Sequence, residues 1–448
     1  MSVKISIIGA GSAVFSLSLI KDFCLTPKLQ ESTICFMDID PVRLETTYLL
    51  CKRYAEETGI KLNLEQTTDR REALRGADFV VNTALAAGHD RLREGWAIAK
   101  KHGYRFGGLH IMHDEAFWIN FYQLRLMEDI ARDMMDLSPR AWLLLVANPV
   151  QAGVTYLKRK YKDLKIVGLC HGYGGVYSLA ERLGLDPGRI SFEIPGVNHF
   201  IWLTKFFYEG KDAFPLLDKW IEEKASGFWR ECGSSCHEGP KPVDLYRRFG
   251  AYPIGDTATP GGGAWGWWYH SDEETEKRWR EDPRGWYEAY FHGGLERAAR
   301  MRRIARDPEV KVREEFPGER SGESMVPLIE ALVCDVERVL IVNILNEGEF
   351  VPGIPRDYAV EVPALVSARG VQGIRTDGLP RHILAYLYRD RIAPVEMELA
   401  AYEKGDYNLL LSLVMMDPFT RSEAQARAFL EEILALPYHT EMRAHYKK

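Results

Sequence analysis

The residues able to do chemistry in this 448-residue chain stand at the ends of short apolar runs. Cys170-His171 follows the run 165–169, Asn148-Pro149 follows 142–147, and Asn198-His199 closes a run that begins at Ser191. A cysteine thiolate and a histidine nitrogen can together hold a borderline divalent metal and leave its other positions to substrate oxygens. Taken singly, Cys170 also reads as an inert buried thiol and His199 as a satisfied core histidine. Tyr246, Arg247, Arg248, Tyr252 and Asp256 gather before a stretch rich in glycine and tryptophan, 256–270. A tyrosine or carboxylate there could act as a base and an arginine could fork a carboxylate, and spacing alone does not choose among them. Cys232-x-x-x-Cys236-His237 imitates a metal hairpin, but no second pair follows at structural-zinc spacing, so it reads as a loop. The basic run 297–306 reads as a solvated helix face.

A second group of residues sits near the N-terminus. The apolar run 3–8 stops at Gly9-Ala10-Gly11-Ser12 and leads into a helical pattern over 14–23. Gly9-x-Gly11 lets backbone N–H groups approach a pyrophosphate where the helix dipole favours negative charge. The next run, 33–37, ends at Asp38, where a carboxylate would receive a ribose 2′-hydroxyl, and a helix follows to about residue 57. The third glycine of the usual fingerprint is replaced by Val14. Asp38 would repel a 2′-phosphate, which favours NAD over NADP, while the nearby Arg43 keeps that choice open.

The elements that must carry these residues alternate strand and helix. Strands are expected over 79–83, 142–147 and 165–169, and helices over 90–101 and 117–135, which implies a parallel α/β sheet with its ligands at the carboxyl ends of the strands. From residue 191 the texture changes to paired strands, 191–197 with 201–208, followed by helices and long loops. Two domains are therefore expected, 1–190 and 191–448, with 256–270 as a candidate lid. Hydrophobic residues make up 46% and charged residues 27%, ordinary values for a folded globular chain. A balance of 58 basic against 64 acidic residues gives −6, which argues against a nucleic-acid partner. No apolar stretch approaches the roughly 18 residues of a membrane helix, and the N-terminus reads as a strand, so a cytoplasmic protein is expected. Seven scattered cysteines argue against a disulfide framework.

In order along the chain, IIGAGS at 7–12, MDID at 37–40, Gly107-Gly108, ANP at 147–149, GLCHG at 168–172, GVNH at 196–199 and YPIGD at 252–256 resemble glycoside hydrolase family 4. The resemblance spans nearly the whole chain. It implies a lactate/malate dehydrogenase-like architecture, an N-terminal Rossmann-type parallel sheet with a C-terminal α+β domain for substrate and oligomerisation. It also implies dependence on NAD and Mn²⁺, other divalent metals being possible, and a departure from hydrolysis by two carboxylates. In the implied course the sugar is oxidised at carbon 3 and a base takes the acidified proton from carbon 2. The glycosidic oxygen then leaves carbon 1, water adds, and the ketone is reduced again.

Carried over residue by residue, Gly9, Gly11, Ser12 and Asp38 would bind NAD, and Cys170 and His199 would bind the metal, a Lewis acid in this setting. Asn148 would touch the sugar hydroxyls near the nicotinamide. Asp256 resembles the base, with Tyr252 as its alternative. Asp114 stands where the family places an acid, with His113 and Glu115 as rivals. Cys170-His171-Gly172-Tyr173 resembles the α-glucuronidase and α-galacturonidase branch, which makes an α-linked uronic acid glycoside the leading substrate. His171 and Asn198 would then face the sugar, and His113, Arg247 and Arg248 are candidate partners for its carboxylate. The alternatives are an α-glucosidase or α-galactosidase, a 2-hydroxy-acid dehydrogenase, and a nucleotide sensor without turnover. A homodimer or homotetramer is expected from the resemblance alone.

Overall fold

The structure, a computed structural model, describes residues 2–447. Six parallel strands form its N-terminal half: β1 (Lys4–Ile8), β2 (Thr33–Met37), β3 (Asn63–Thr67), β4 (Phe79–Asn82), β5 (Trp142–Leu145) and β6 (Lys165–Gly168). Their order is β3-β2-β1-β4-β5-β6, a doubly wound arrangement whose direction of winding reverses between β1 and β4. Ligands bind such sheets at that reversal, outside the strands' carboxyl ends. Most positions of β1, β2 and β4 are buried, as expected when helices cover both faces and the strands read as near-continuous apolar runs. Within β1, Ile5 and Ile7 pack with Phe36 and Val81 in one core cluster, whereas Ile8 joins Cys35 and Val80 in another. Burying each such side chain stabilises the fold by roughly 1.5–3 kcal/mol. β3 (NLEQT) escaped the sequence reading because it is a polar, largely exposed edge strand without an apolar run.

Beyond β6 the same sheet continues antiparallel. Arg338–Leu345 pairs with β6, followed in order by Ala359–Ser367, Gly196–Val197, Phe200–Leu203 and Tyr252–Ile254. The expected pairing of 191–197 with 201–208 is therefore corrected. Ile190–Glu193 and Lys205–Tyr208 pair in a separate three-stranded sheet, and Gly196–Val197 and Phe200–Leu203 belong to the main one. The break falls at Ile194-Pro195, where proline offers no ladder N–H.

The expected lid is also corrected. Residues 256–270 form three short 3₁₀ turns, mostly buried and fastened at three points. Pro260 O accepts from Tyr287 Oη at 2.6 Å, Gly262 O from Arg391 Nη2 at 2.7 Å, and the Trp265 indole donates to Asp390 Oδ2 at 2.8 Å. Cys232 and Cys236 lie in a loop as read, but they are joined by a disulfide. Among the described residues no helix is long and apolar enough to cross a membrane.

Candidate active site

Three chain segments that are distant in sequence meet at the carboxyl end of β6. Cys170 leaves β6, and His199 turns the corner between Gly196–Val197 and Phe200–Leu203. Asp256 occupies the short helical turn after Tyr252–Ile254. His199 has a φ of 58°, a left-handed conformation uncommon for a residue with a side chain and found disproportionately at functional sites. One sulfur, one ring nitrogen and one carboxylate oxygen from these three residues all lie within 4.8 Å of one another. His199 Nε2 is 3.6 Å from Asp256 Oδ2, and its Nδ1 is 3.4 Å from Glu115 Oε1. Burial pushes the Cys170 thiol up and Glu361 adds to this, against the pull of His199. Burial alone would lower His199, but its hydrogen bond with Cys170 and the charges of Cys170, Glu115 and Asp256 carry it well above the ordinary range.

A divalent ion fits this donor set. Its charge would take the place of the protons on Cys170 and His199, and imidazole and carboxylate are accepted by manganese as by zinc. His199 Nδ1, buried and without a hydrogen bond, shows that the ring's polar needs are not met by the protein alone.

A second group adjoins the first through His199, because His113, Asp114 and His199 also bring ligand atoms within 4.8 Å of one another. Asp114 Oδ1 is 2.8 Å from His113 Nδ1, and its Oδ2 accepts from Asn148 Nδ2 at 3.3 Å. Asn148, reached through a cis peptide to Pro149, thus stands beside Asp114 as well as at the tip of β5. Burial favours the neutral carboxyl of Asp114, but the neighbouring His113 outweighs it and holds the group below the usual carboxylate range. A carboxyl held that way stays ionised and carries no proton to donate, which brings His113, one of the two expected rivals, into the acid's role.

The glycine turn after β1 is sterically restricted. Gly9 lies at φ 86°, and a methyl group there would come within 2.5 Å of Ala84 Cα, so only glycine fits. The helix Ala13–Cys24 begins with no side-chain cap from Ser12, leaving first-turn N–H groups for a phosphate. Asp38 Oδ2 accepts from Gly11 N at 2.8 Å, which places the carboxylate directly beside the turn.

Five further expected residues lie as follows. Tyr252 is 2% exposed, packs in the cluster of Val176 and Leu179, and donates its hydroxyl to His237 O at 3.0 Å. Its phenol is pushed far up by burial and by Glu238, so it does not serve as the base. Asn198 is 2% exposed and donates Nδ2 to Glu361 Oε2 at 3.1 Å, supporting the site from behind and not facing a sugar. His171 turns its ring towards Gly174 and Gly322. Arg247 and Arg248 are exposed on Pro240–Phe249, with Arg248 bound to Asp244.

Glu361 and Asn343 were missed. Glu361 is 1% exposed and also accepts from Asn343 Nδ2 at 3.1 Å; burial pushes its carboxyl up while the two amides oppose the shift. A lone carboxylate inside the apolar strand AVEVPALVS was the available signal.

Fold and site together define a doubly wound α/β protein that brings a thiol, an imidazole and a carboxylate together at its strand ends. Residues 4–185 match the family model described as family 4 glycosyl hydrolase, and residues 194–420 match that of its C-terminal domain. The chain belongs to family 4 of the glycosyl hydrolases. It is 26% identical to an α-glucosidase of Erwinia rhapontici, over 93% of this chain and 94% of that one. It is 25% identical to an α-galactosidase of Bacillus subtilis, over 94% of both chains. It is 24% identical to an α-galacturonidase of Lachnoclostridium phytofermentans, over 94% and 92%. A 6-phospho-α-glucosidase from gut microorganisms, solved in complex with NAD and Mn²⁺, shares the fold at a TM-score of 0.82, with 20% identity and 98% of each chain covered. A malate dehydrogenase of Cryptosporidium parvum superposes at 0.52, with 14% identity, over 90% of this chain and 99% of its own.

Proposed function

We propose that the protein hydrolyses α-linked uronic acid glycosides, α-glucuronides or α-galacturonides, with NAD and manganese bound. The observation that carries the chemistry is the meeting of Cys170, His199 and Asp256 at the strand ends, on the side of the sheet where the Gly9–Gly11 turn opens. The choice of uronide leans on Cys170-His171-Gly172-Tyr173, because relatives at 24–26% identity are named for three different sugars. In this reading residues 1–190 hold the nucleotide and residues 191–448 supply the sugar side and the self-association of a cytoplasmic homodimer or homotetramer.

Gly9, Gly11 and the N-terminus of Ala13–Cys24, with Ser12, bind the pyrophosphate, Asp38 binds the ribose, and Asn148 orients the sugar towards the nicotinamide. Cys170 and His199 hold the metal. Bound there, NAD would supply hydride chemistry and the ion Lewis acidity towards the sugar oxygens. Asp256 removes the proton from carbon 2; its Oδ1 is held by Thr259 Oγ1 at 2.9 Å, leaving Oδ2 for the proton. Asp114 and His113 share the proton that passes to the leaving oxygen, and Asn148 fixes Asp114 for that transfer. The proximity of Asp256 Oδ2 to His199 supports a second reading, in which Asp256 is itself a metal ligand.

The test is hydrolysis of p-nitrophenyl α-glucuronide and α-galacturonide beside the matching glucoside and galactoside, with NAD, Mn²⁺ and reductant each omitted in turn. Uronide cleavage that needs all three is the expected outcome. Cleavage of neutral glycosides alone overturns the uronate reading. NADH accumulating without sugar release would instead indicate a dehydrogenase, and NAD binding with neither outcome a sensor.

A further inference from the structure

The helix Pro283–Arg306 runs from the glycine-tryptophan segment to the dinucleotide half, where Met301 and Ile304 enter the core. Its attachment uses Tyr287, which is 2% exposed and bonded to Pro260 O, and Phe291, which is 6% exposed and lies 4.7 Å ring to ring from His89. Trp286 is half-buried against the core that holds Tyr287 and Phe291, whereas Tyr290, one turn on, stands outside it. Their rings are parallel within 3°, with centroids 5.6 Å apart, and Tyr290 is 49% exposed. The Tyr290 ring is left facing outward where burial would otherwise be favourable.

The location of this pair is informative. A methyl group built on Gly261 would lie 2.7 Å from Asp256 Oδ1 and 3.4 Å from Trp286 Cη2, so the indole edge borders the carboxylate. Tyr290 rests on His89 at 5.9 Å, and after burial the charge of Asp114 is the largest influence raising its phenol. The platform therefore begins beside both carboxylates, on the side where Asp114 meets the leaving oxygen. Past Tyr290 the helix presents Gly293 and Gly294, and a methyl group at Gly294 would touch nothing within 4 Å. A methyl group at Gly293 would lie 3.0 Å from Arg297 Nη1, so the open surface is that at Gly294, bordered by this guanidinium.

We infer that Trp286 and Tyr290 form the aglycone subsite, stacking on the apolar face of a six-membered ring carried by the leaving oxygen. This rests on the glycosidase reading above for the position of the cleaved bond. Flat aromatic faces suit the C–H face of a pyranose or an aryl ring, and give a methyl aglycone nothing to stack on.

The holoenzyme with NAD and Mn²⁺ is compared with Trp286→Leu and Tyr290→Leu, each first shown to keep wild-type circular dichroism and NAD affinity. On the glycone that the wild type cleaves, KM for the p-nitrophenyl glycoside and for a disaccharide should rise about tenfold with kcat within about twofold. The methyl glycoside should be unchanged. A rise for the nitrophenyl compound alone identifies an aryl site, and a rise for the disaccharide alone a sugar site. Equal change for ringed and methyl substrates, or no change, overturns the proposal. A readout that needs no turnover is the quenching of tryptophan fluorescence by p-nitrophenol. A saturable component present in the wild type and lost in Trp286→Leu supports the platform even if the uronate reading fails, and its absence from the wild type overturns it.

Discussion

At the scale of the residue, Cys170 and Asp256 separate the competing assignments. Cys170→Ser replaces a thiolate with a neutral hydroxyl, a far weaker metal ligand. Metal-dependent hydrolysis should fall at least 100-fold while NAD binding, read by fluorescence titration, stays within about twofold. Full activity in that variant would remove Cys170 from the metal. Asp256→Asn distinguishes the two roles of this carboxylate. As a base, its loss abolishes exchange of the carbon 2 proton with solvent deuterium but leaves Mn²⁺ affinity unchanged; as a ligand, its loss also weakens Mn²⁺ binding by about 10- to 100-fold. The types of these residues were legible in sequence, but the retirement of Tyr252 was not. Its hydroxyl is occupied by His237 O, a contact made by the loop that packs over it.

Among the elements, the glycine turn and the π-helical turn Tyr388–Ile392 hold the two sides of the crevice. At Gly9 an added methyl group meets Ala84 from 2.5 Å, in a backbone conformation that side chains avoid. Gly9→Ala should weaken NAD binding more than tenfold and cost roughly 1–3 kcal/mol in urea unfolding. An unchanged NAD affinity would dissociate this turn from the nucleotide. On the other side, Arg391 and Asp390 are adjacent residues of one irregular turn, and each fastens a different part of the glycine-tryptophan segment, Gly262 and Trp265 respectively. Arg391→Ala leaves the Gly262 carbonyl unpaired and should destabilise the protein by roughly 1–3 kcal/mol, with kcat falling because Asp256 rides on the same segment. Stability lost with kcat intact would show that the segment keeps Asp256 in place without Arg391.

For the whole molecule, one buried carboxyl ties the C-terminal helices to the approach of the site. Asp417 accepts N–H groups from Leu109 and Phe419, at 2.9 Å each, and burial pushes it from 3.8 up to about 6. The native state therefore holds this proton more tightly than the unfolded chain. Its stabilising effect is fully present below pH 3.8 and is lost as pH rises to about 6, at most roughly 3 kcal/mol over that window. Asp417→Asn, which resembles the protonated group, should flatten the dependence between pH 4 and 6 in denaturant titrations; an identical slope would place the titration elsewhere. The dinucleotide half was legible because its signals are local: apolar runs ending in Gly9-x-Gly11, Asp38, Asn148 and Cys170. Closure of the main sheet was not. It is made by Arg338–Leu345 and Ala359–Ser367, which bring Asn343 and Glu361 behind residues more than 140 positions earlier in the chain.

By itself the sequence determined the strand, turn and helix succession of the first half, the residue types at each strand tip, and the order of motifs that relates the chain to its family. These depend on periodicity and on short-range steric rules that operate within a few residues. Only the tertiary structure decided which tips meet. It joined His199 to Cys170 and Asp256, set His113 against Asp114, turned Asn198 and Tyr252 away, and laid Trp286 beside the carboxylate. Those outcomes depend on strand pairing and burial between distant segments, where the hydrogen bond a side chain makes is settled by whichever neighbour the fold delivers.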